Sequence, residues 1–269
     1  MKTTLITGAS SGIGEVFARR LAARGENLLL VARSADKLAA ICNELARAHN
    51  INAQFVAEDL AEATAPARLF DETARRGLSI ETLINNAGFG SMGEFAGLDI
   101  ERELKMIDLN IRALVELTHH FLAPMRERGS GMIINVASTA AFQPVPYMAT
   151  YAATKAFVLS FSEALWEENR RYGIKVMALC PGSTDTNFFE AAQIKRPPMR
   201  VSESPERVVE TALRALERGR SHVISGWTNY LMAESERFVP RSLVARLAGR
   251  MMRQGLGDQM EDGKGPVKS

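Results

Sequence analysis

The sequence predicts an α/β fold in which a doubly wound parallel sheet of about seven strands carries helices on both faces. Short apolar runs alternate with longer segments of helical period from the first residues onward. The largely apolar runs at 28–31 and 132–136 are continuous rather than alternating, as in strands that are covered on both faces. Glycines at 8, 12 and 14 follow the first apolar run directly. These observations favour one large domain.

The predicted elements alternate in order along the chain. Strands are predicted at 3–7, 28–32, 53–57, 82–85, 131–138, 174–179 and 221–224. Helices are predicted at 13–24, 35–48, 66–76 and 100–126, then through Tyr151 to about residue 172, and at 205–218. This alternation predicts a domain at 1–226 and a C-terminal amphipathic helical extension at 227–256. The tail at 257–269, rich in Gly, Asp and Lys, is predicted to be disordered.

Composition excludes several classes of protein. Lys and Arg number 33 against 31 acidic residues, so a net charge of +2 gives no broad basic field for nucleic acid. The two cysteines, Cys42 and Cys180, and the four histidines fit no disulfide or metal-ligand spacing. The sequence also lacks a stretch of about 18 uncharged apolar residues. We therefore expect a cytoplasmic protein without a metal ion.

The glycine turn is the first candidate binding element. It comprises Gly8, Ser10, Ser11, Gly12, Ile13 and Gly14. Between a strand and a helix, such a turn lets the backbone approach a pyrophosphate, and the helix N-terminus offers N–H donors to that anion. The spacing is G-x-x-x-G-x-G rather than G-x-G-x-x-G, so a turn that only joins strand to helix is the alternative.

Arg33 bears on the choice of cofactor. An acidic residue at the end of the second strand binds a ribose 2′-hydroxyl, whereas an Arg suits a 2′-phosphate. Here the strand ends in Ala32 and Arg33. The pattern favours NADPH over NADH, with an ordinary surface charge before a helix as the alternative.

Tyr151 and Lys155 are four residues apart and therefore lie on the same face of a helix. Opposite unit charges about 4 Å apart attract by roughly 4 kcal/mol at an effective dielectric near 20. We therefore expect Lys155 to lower the pKa of Tyr151 from about 10 towards neutrality, which would make it a proton donor. The alternative is a pair of side chains on a solvated helix face.

Together these motifs identify a family. The chain resembles the short-chain dehydrogenase/reductases of the classical type through the segment 7–14, Asn85-Asn86-Ala87-Gly88, Ser138 and Tyr151-x-x-x-Lys155, in that order. The resemblance covers nearly all of residues 1–226 and implies a single Rossmann-type domain that binds both cofactor and substrate. It also implies assembly as a homodimer or homotetramer through the long helices.

The resemblance implies four catalytic residues. Tyr151 is the expected acid and base, and Lys155 lowers its pKa and holds the nicotinamide ribose. Ser138 is expected to polarise the substrate carbonyl, and Asn110 to keep a water in a proton relay through Lys155. From the residues alone, Ser138 would be a helix cap and Asn110 a surface residue of a helix.

The resemblance also implies further contacts to the cofactor. Asp59 and Leu60 are expected at the adenine, and Asn86, Ala87 and Gly88 at the adenosine ribose. The loop at Pro181 and Gly182 is expected at the nicotinamide, with Thr184 or Thr186 as a further partner. Without the family, these residues are typical of a helix start and of simple turns.

The expected reaction is NADPH-dependent reduction of a ketone or aldehyde to an alcohol. Aromatic and apolar residues at 89–95, 142–148 and 188–201 favour an apolar substrate under a lid, although they can equally pack in a core or a subunit interface. A rival from another class is a protein of the same fold that senses NAD(P) or acts as a scaffold without turnover. The retained Ser138, Tyr151 and Lys155 favour the enzyme.

The C-terminal segment at 229–254 combines apolar and basic residues. Its arginines are Arg237, Arg241, Arg246, Arg250 and Arg253. A basic amphipathic helix can lie on an anionic membrane surface. Packing on a neighbouring subunit or over the substrate pocket is the favoured interpretation, with peripheral membrane contact as the alternative.

Overall fold

Seven parallel strands form one sheet in the computed structural model, which describes residues 1–185 and 202–262 of the chain. The strands are β1 (Lys2–Thr7), β2 (Leu28–Ala32), β3 (Ala53–Ala57), β4 (Ser79–Asn85), β5 (Gly131–Val136), β6 (Ile174–Cys180) and β7 (His222–Ile224). Their order is β3-β2-β1-β4-β5-β6-β7. Strand order reverses between β1 and β4, so a crevice opens there at the carboxyl ends of the strands. The predicted fold class is confirmed.

Nine helices are defined within the described residues. They are α1 (Gly12–Ala22), α2 (Ala35–His49), α3 (Ala65–Arg75), α4 (Ile100–Ile107), α5 (Leu114–Arg128), α6 (Ala149–Asn169), α7 (Pro205–Glu217), α8 (Trp227–Ser235) and α9 (Arg241–Asp262). Helices α1, α2 and α7 pack on one face of the sheet, and α3 and α5 pack on the other.

Strand β2 is apolar throughout because both of its faces are covered. Within β2, Leu28 and Leu30 belong to the core that includes α1, α2 and α7. Leu29 and Val31 point the opposite way, into the core that includes α3 and α5. All four are buried. Consecutive strand residues point to opposite faces, so a strand between two helical layers favours apolar residues at consecutive positions.

The helix predicted at 100–126 is wrong as a single element. Helix α4 ends at Ile107, a π-helical turn spans Asp108–Ala113, and α5 continues from Leu114. The spacing of apolar residues does not reveal a single π-helical turn, because the helix axis and the buried face continue through it. Such turns are frequent at functional sites, and this one contains Asn110.

The C-terminal segment consists of two helices rather than one. Helix α8 ends at Ser235, a 3-10 turn spans Glu236–Phe238, and α9 begins after Pro240. Proline has no N–H and is therefore compatible with the start of a helix but not with its middle. Helix α9 runs to Asp262 rather than ending at residue 256, so 257–262 is helical in the structure. The rest of the predicted tail, at 263–269, lies outside the described residues.

Candidate active site

A cleft of about 1340 Å³ opens at the carboxyl ends of the strands and brings most of the predicted site residues together. The predicted residues that line it are Gly8, Ser10, Ser11, Gly12, Ile13, Arg33, Asp59, Leu60, Asn86, Ala87, Gly88, Ser138, Tyr151, Lys155, Pro181, Gly182 and Thr184. Gly14 and Asn110 are not in the lining, and Thr186 lies outside the described residues.

The glycine turn adopts a backbone conformation that other residues rarely adopt. Gly8 and Gly12 have φ values of +65° and +58°. Gly14 lies behind the turn, where a Cβ would lie 2.4 Å from the carbonyl oxygen of Gly8 and 2.5 Å from Nδ2 of Asn86. Hydrogen in place of a side chain therefore lets α1 pack directly against the turn.

Asn86 and Thr7 stabilise the glycine turn through hydrogen bonds. Nδ2 of Asn86 donates to the carbonyl oxygens of Thr7 (2.9 Å) and Gly8 (3.2 Å). The hydroxyl of Thr7 accepts from the backbone N–H groups of Asn86 and Ala87, each at 3.0 Å. Thr7 had no predicted role of its own, because a threonine at a strand end has many other uses. Its position directly before the first glycine is the signal that could have identified it.

The start of α1 suits an anionic group. Ser11 is the N-cap residue, but its side chain makes no capping hydrogen bond. The first N–H groups of a helix have no partner within the helix and carry a partial positive charge. Ser11, Gly12 and Ile13 line the cleft, so this end of α1 opens into it. The glycines leave space in the turn that side chains would fill, and the helix start beside it has no side-chain cap. Together these features suit the pyrophosphate of a dinucleotide.

Charged residues surround the end of β2. Oδ2 of Asp59 lies 3.0 Å from Nζ of Lys105, and its Oδ1 accepts from the Ala61 N–H at 3.1 Å. Burial opposes ionisation of Asp59, but the Lys105 contact, the Ala61 bond and the charge of Arg33 outweigh it and hold the pKa below its ordinary value. Arg33 is exposed and has no carboxylate within 4 Å among the described residues, so its guanidinium can bind an anion. The sequence did not single out Lys105.

Ser138, Tyr151 and Lys155 meet at the carboxyl end of β5. Ser138 caps a short 3-10 turn at Thr139–Ala141, and its Oγ accepts from the Ala140 N–H at 3.1 Å. Tyr151 and Lys155 lie on one face of α6, and both are buried. Nζ of Lys155 donates to the carbonyl oxygen of Val136 at 2.8 Å and lies 5.7 Å from the centre of the Tyr151 ring. The interpretation of these two residues as a solvated surface pair is therefore wrong.

The expected lowering of the Tyr151 pKa is also wrong for the protein on its own. Burial raises the pKa of Tyr151 to about 12, and a side-chain hydrogen bond with Ser138 only partly offsets it. Burial also lowers the pKa of Lys155 to about 8, against the opposing influence of Cys180. The sequence argument considered the attraction between the two groups and omitted the hydration that both lose.

Lys155 should give the folding free energy a distinctive pH dependence. A folded-state pKa of about 8, below the ordinary lysine value of 10.5, means that the unfolded chain binds more protons between these pH values. Stability from this group therefore rises with pH and is lost as pH falls towards 8. From pH 8 to pH 10, the unfolding free energy should rise by on the order of 1–2 kcal/mol relative to Lys155→Met.

Urea denaturation of both proteins at several pH values measures this difference. Lys37→Met removes an exposed lysine from α2 and is the matched control, which should keep the wild-type slope. Equal slopes for wild type and Lys155→Met would show that burial does not suppress the charge of Lys155.

Asn110 lies beside the cleft and joins two elements that line it. Its Nδ2 donates to the Phe89 carbonyl (3.0 Å) and to Oγ1 of Thr154 (3.1 Å), and its Oδ1 accepts from the Phe89 N–H (3.2 Å). A Cβ on Gly88 would lie 2.9 Å from Oδ1 of Asn110 and 3.6 Å from Nζ of Lys155. Asn110 is thus buried close to Lys155, and the surface position inferred from the residues alone is wrong.

The loop after β6 packs against α8. Oγ1 of Thr184 donates to the Gly182 carbonyl at 3.0 Å. A Cβ on Gly182 would lie 2.4 Å from Nδ2 of Asn229, which donates to the Ser225 carbonyl at 2.7 Å. Asn229 therefore sets the position of the loop from the outside. This role was not predicted, because nothing in the sequence near Asn229 indicates that α8 packs against the loop after β6.

Apolar side chains cover the far end of the cleft. The C-terminal segment contributes Met232, Val239, Val244, Leu247, Met251 and Met252. From the segments predicted to contact substrate, Phe89, Gln143, Val145 and Met148 are in the lining. Phe95 is exposed and Phe142 packs in a separate core, and neither lines the cleft. The third segment, 188–201, lies outside the described residues.

Residues 1–185 and 202–262 contain neither a metal-binding cluster nor a membrane-spanning helix. No group of three or more His, Cys, Asp or Glu side chains is arranged there to hold a metal ion. In the same part of the chain, no helix combines the length and the apolar character needed to cross a membrane.

Comparisons with known proteins agree with this fold. The chain matches the family model described as short chain dehydrogenase over residues 2–196. A very-long-chain 3-oxoacyl-CoA reductase-A from Danio rerio is 31% identical over 262 residues, which is 93% of this chain and 78% of that protein. Among solved structures, a short-chain dehydrogenase from Sphingobium yanoikuyae in complex with NADPH is 31% identical, with a TM-score of 0.78 and full coverage of both chains. The bulky-bulky ketone specific alcohol dehydrogenase from Comamonas testosteroni is 31% identical, with a TM-score of 0.76 and coverage of 88% and 92%.

A doubly wound sheet whose switch-point cleft is suited to a dinucleotide, with a buried Tyr and Lys beside it, is typical of nicotinamide-dependent oxidoreductases. The family match spans most of the chain and includes the glycine turn, Tyr151 and Lys155. The chain belongs to the short-chain dehydrogenase family, and it is an NAD(P)-dependent dehydrogenase or reductase.

Proposed function

We propose that this chain reduces an apolar ketone or aldehyde to the alcohol, with NADPH as the cofactor. The observation that carries the proposal is the shared cleft, in which Ser138, Tyr151 and Lys155 face the same space as the glycine turn and Arg33. The reduction adds a hydride to the carbonyl carbon and a proton to the carbonyl oxygen. Bound NADPH would supply the hydride, and Tyr151 would supply the proton.

The cofactor-binding part of the proposal rests on the residues at the strand ends. Gly8, Gly12 and the start of α1 would hold the pyrophosphate, with Asn86 and Thr7 fixing the shape of the turn. Arg33 would bind the 2′-phosphate, and Lys105 adds a second positive charge to the cleft lining. When bound, NADPH supplies the hydride.

The proton-transfer part rests on Tyr151 and its neighbours. With a pKa of about 12, the Tyr151 hydroxyl is protonated at neutral pH, which is the form that a reduction requires. Oη of Tyr151 would donate its proton to the substrate oxygen. Oγ of Ser138 would donate a hydrogen bond to the same oxygen and stabilise the negative charge that develops there. Lys155 would hold a positive charge next to the phenolate left on Tyr151.

Asn110 would influence Lys155 indirectly, by holding the residues around it in place. Its side chain fixes Phe89, directly after Gly88, and connects that loop to Thr154. Oγ1 of Thr154 donates to the Tyr151 carbonyl at 2.7 Å, so this set of bonds reaches the backbone that carries Tyr151. It supports the predicted proton relay, because the groups that would hold a water beside Lys155 are themselves held in place.

The apolar lining of the far end supports the substrate class. Methionine and branched aliphatic side chains there offer an apolar surface that adapts to different shapes. The names of two similar proteins agree with a large carbonyl substrate, since one is called a reductase of very-long-chain 3-oxoacyl-CoA and the other an alcohol dehydrogenase specific for bulky ketones. Assembly as a homodimer or homotetramer stays a prediction.

The test is consumption of NADPH and NADH across a panel of carbonyl compounds. The panel runs from small polar ketones to long aliphatic and bulky aromatic ketones, with matched aldehydes. We expect kcat/KM to increase with apolar size and to be higher with NADPH. Tight NADPH binding without oxidation by any compound would instead favour a nucleotide-sensing role.

Arg33→Ala tests the choice of cofactor. Loss of a charge-assisted contact to the 2′-phosphate should raise the Kd of NADPH by about 10- to 100-fold and leave that of NADH within about threefold. Arg47→Ala removes another exposed arginine, on α2, and should change neither value. Titration of each cofactor followed by protein fluorescence measures the Kd. Equal weakening of both cofactors would reject this role for Arg33.

A further inference from the structure

Helix α9 carries two adjacent apolar stripes. Val244, Ala248 and Met252 are four residues apart, are partly buried and line the cleft. Leu243, Leu247 and Met251 form the next stripe, and they are 45%, 49% and 74% exposed. Leu247 and Met251 also reach the edge of the cleft, but these exposed fractions leave much of the second stripe in contact with solvent, and Leu243 lies outside the cleft lining.

Exposed arginines lie along the outer side of α9. Arg246, Arg250 and Arg253 are spaced by four and three residues and so share one face of the helix. None of them forms an ion pair among the described residues. The sequence contains no Asp or Glu between residues 237 and 257. The outer face of α9 is thus positively charged along the described part of its length.

A further exposed apolar side chain precedes the helix. Phe238, in the 3-10 turn before α9, is 88% exposed. Phe238 and the second stripe of α9 are thus exposed apolar side chains that lie close in sequence to the exposed Arg246, Arg250 and Arg253. Single exposed apolar residues are ordinary, but an ordered stripe bordered by one sign of charge indicates a binding surface.

The charge pattern distinguishes between two possible occupants of this surface. A two-fold interface with a second copy would place the same surface against itself and bring like charges together. An anionic lipid bilayer provides phosphate groups for the arginines and acyl chains for the apolar stripe at the same time. We propose that the outer face of α9, with Phe238, binds the surface of an anionic lipid membrane.

Membrane binding through α9 would also affect the position of the cleft. The same helix lines the cleft on its inner side, so membrane binding would bring the end of the cleft lined by α9 close to the lipid surface. If the proposed function also holds, an apolar ketone dissolved in the bilayer would have a short path to Tyr151. The binding itself does not depend on the reaction and is tested without it.

The experiment is co-sedimentation of the full-length chain with lipid vesicles. One set contains phosphatidylcholine alone, and the other contains phosphatidylcholine with phosphatidylglycerol. We expect binding to the anionic vesicles at low salt, weaker binding at high salt and little binding to phosphatidylcholine alone. Failure of the wild-type protein to sediment with anionic vesicles at low salt would overturn the proposal.

Two double variants test whether α9 is the binding surface. Arg246→Gln with Arg250→Gln should lower the partition coefficient by about tenfold or more. Arg47→Gln with Arg214→Gln changes the net charge equally, at exposed sites on α2 and α7, and should stay within about threefold of wild type. An equal loss in both pairs would mean attraction by net charge alone and would overturn the assignment to α9.

A third variant tests the apolar stripe and the competing occupant. Leu243→Ser changes an exposed position outside the cleft lining and should also weaken vesicle binding. Sedimentation velocity without lipid gives the oligomeric state of each variant. A change of oligomeric state in Leu243→Ser, with vesicle binding unaltered, would make this surface a subunit interface and refute membrane binding.

Discussion

Tyr151→Phe should lower kcat by roughly 10²- to 10⁴-fold, the range ascribed to a positioned general acid. Phenylalanine keeps the ring in its buried site on α6 and removes only the hydroxyl that would protonate the substrate oxygen. The Kd of NADPH should stay within about threefold of wild type, because the turn and Arg33 are unchanged. Steady-state kinetics and cofactor titration measure the two effects separately.

Tyr230→Phe is the matched control for this change. It removes the hydroxyl of an exposed tyrosine on α8 and should leave kcat near the wild-type value. Thermal unfolding of both variants separates catalysis from folding. Activity of Tyr151→Phe within a few-fold of wild type would exclude Tyr151 as the proton donor.

Gly14→Ala should weaken both the fold and cofactor binding. In most helices this change is favourable by about 1 kcal/mol, because alanine restricts the unfolded chain more than glycine does. Here the new Cβ would lie 2.4 Å from the Gly8 carbonyl oxygen, and backbone must move to accept it. Such overpacking costs typically about 1–3 kcal/mol.

The displacement falls on the turn that would hold the pyrophosphate, so we expect the NADPH Kd to rise by about tenfold or more. Gly97→Ala is the control, since a Cβ at that glycine would meet no atom within 4 Å. Differential scanning calorimetry and NADPH titration check both effects. A Gly14→Ala protein with wild-type stability and affinity would contradict the close approach of α1 to the turn.

The sheet was predictable because its environment imposes one rule on each central strand. Leu28 to Val31 must be apolar at every position once helices cover both faces, and that demand is visible in the sequence. The bounds of β2 and of the edge strand β3 agree with the prediction because polar residues flank both strands directly. The glycine turn was also predictable from the sequence, because few other residues adopt its backbone angles.

The environment of Tyr151 was not predictable from spacing alone. Four residues of separation place it beside Lys155, but hydration decides the pKa, and hydration depends on what packs around α6. The buried position of Asn110 has a similar origin. Its partners, Phe89 and Thr154, are far away in sequence and come together only when the sheet has formed.

Contacts from the C-terminal segment were the hardest to foresee. The amphipathic pattern is evident, but periodicity does not say that Pro240 divides the segment or that Asn229 packs against Gly182. It also does not distinguish the partly buried stripe of α9 from the more exposed one, because both consist of apolar residues at helical spacing. Only the fold separates the two.

The central claim is hydride transfer from NADPH to an apolar carbonyl compound in this cleft. The most direct measurement uses NADPH deuterated on either face of the nicotinamide, with a bulky ketone, and mass spectrometry of the product. We predict an alcohol with one deuterium on the carbinol carbon from one of the two labelled cofactors, and no such product with Tyr151→Phe. Absence of labelled alcohol with both cofactors and every ketone in the panel, despite tight NADPH binding, would contradict the account.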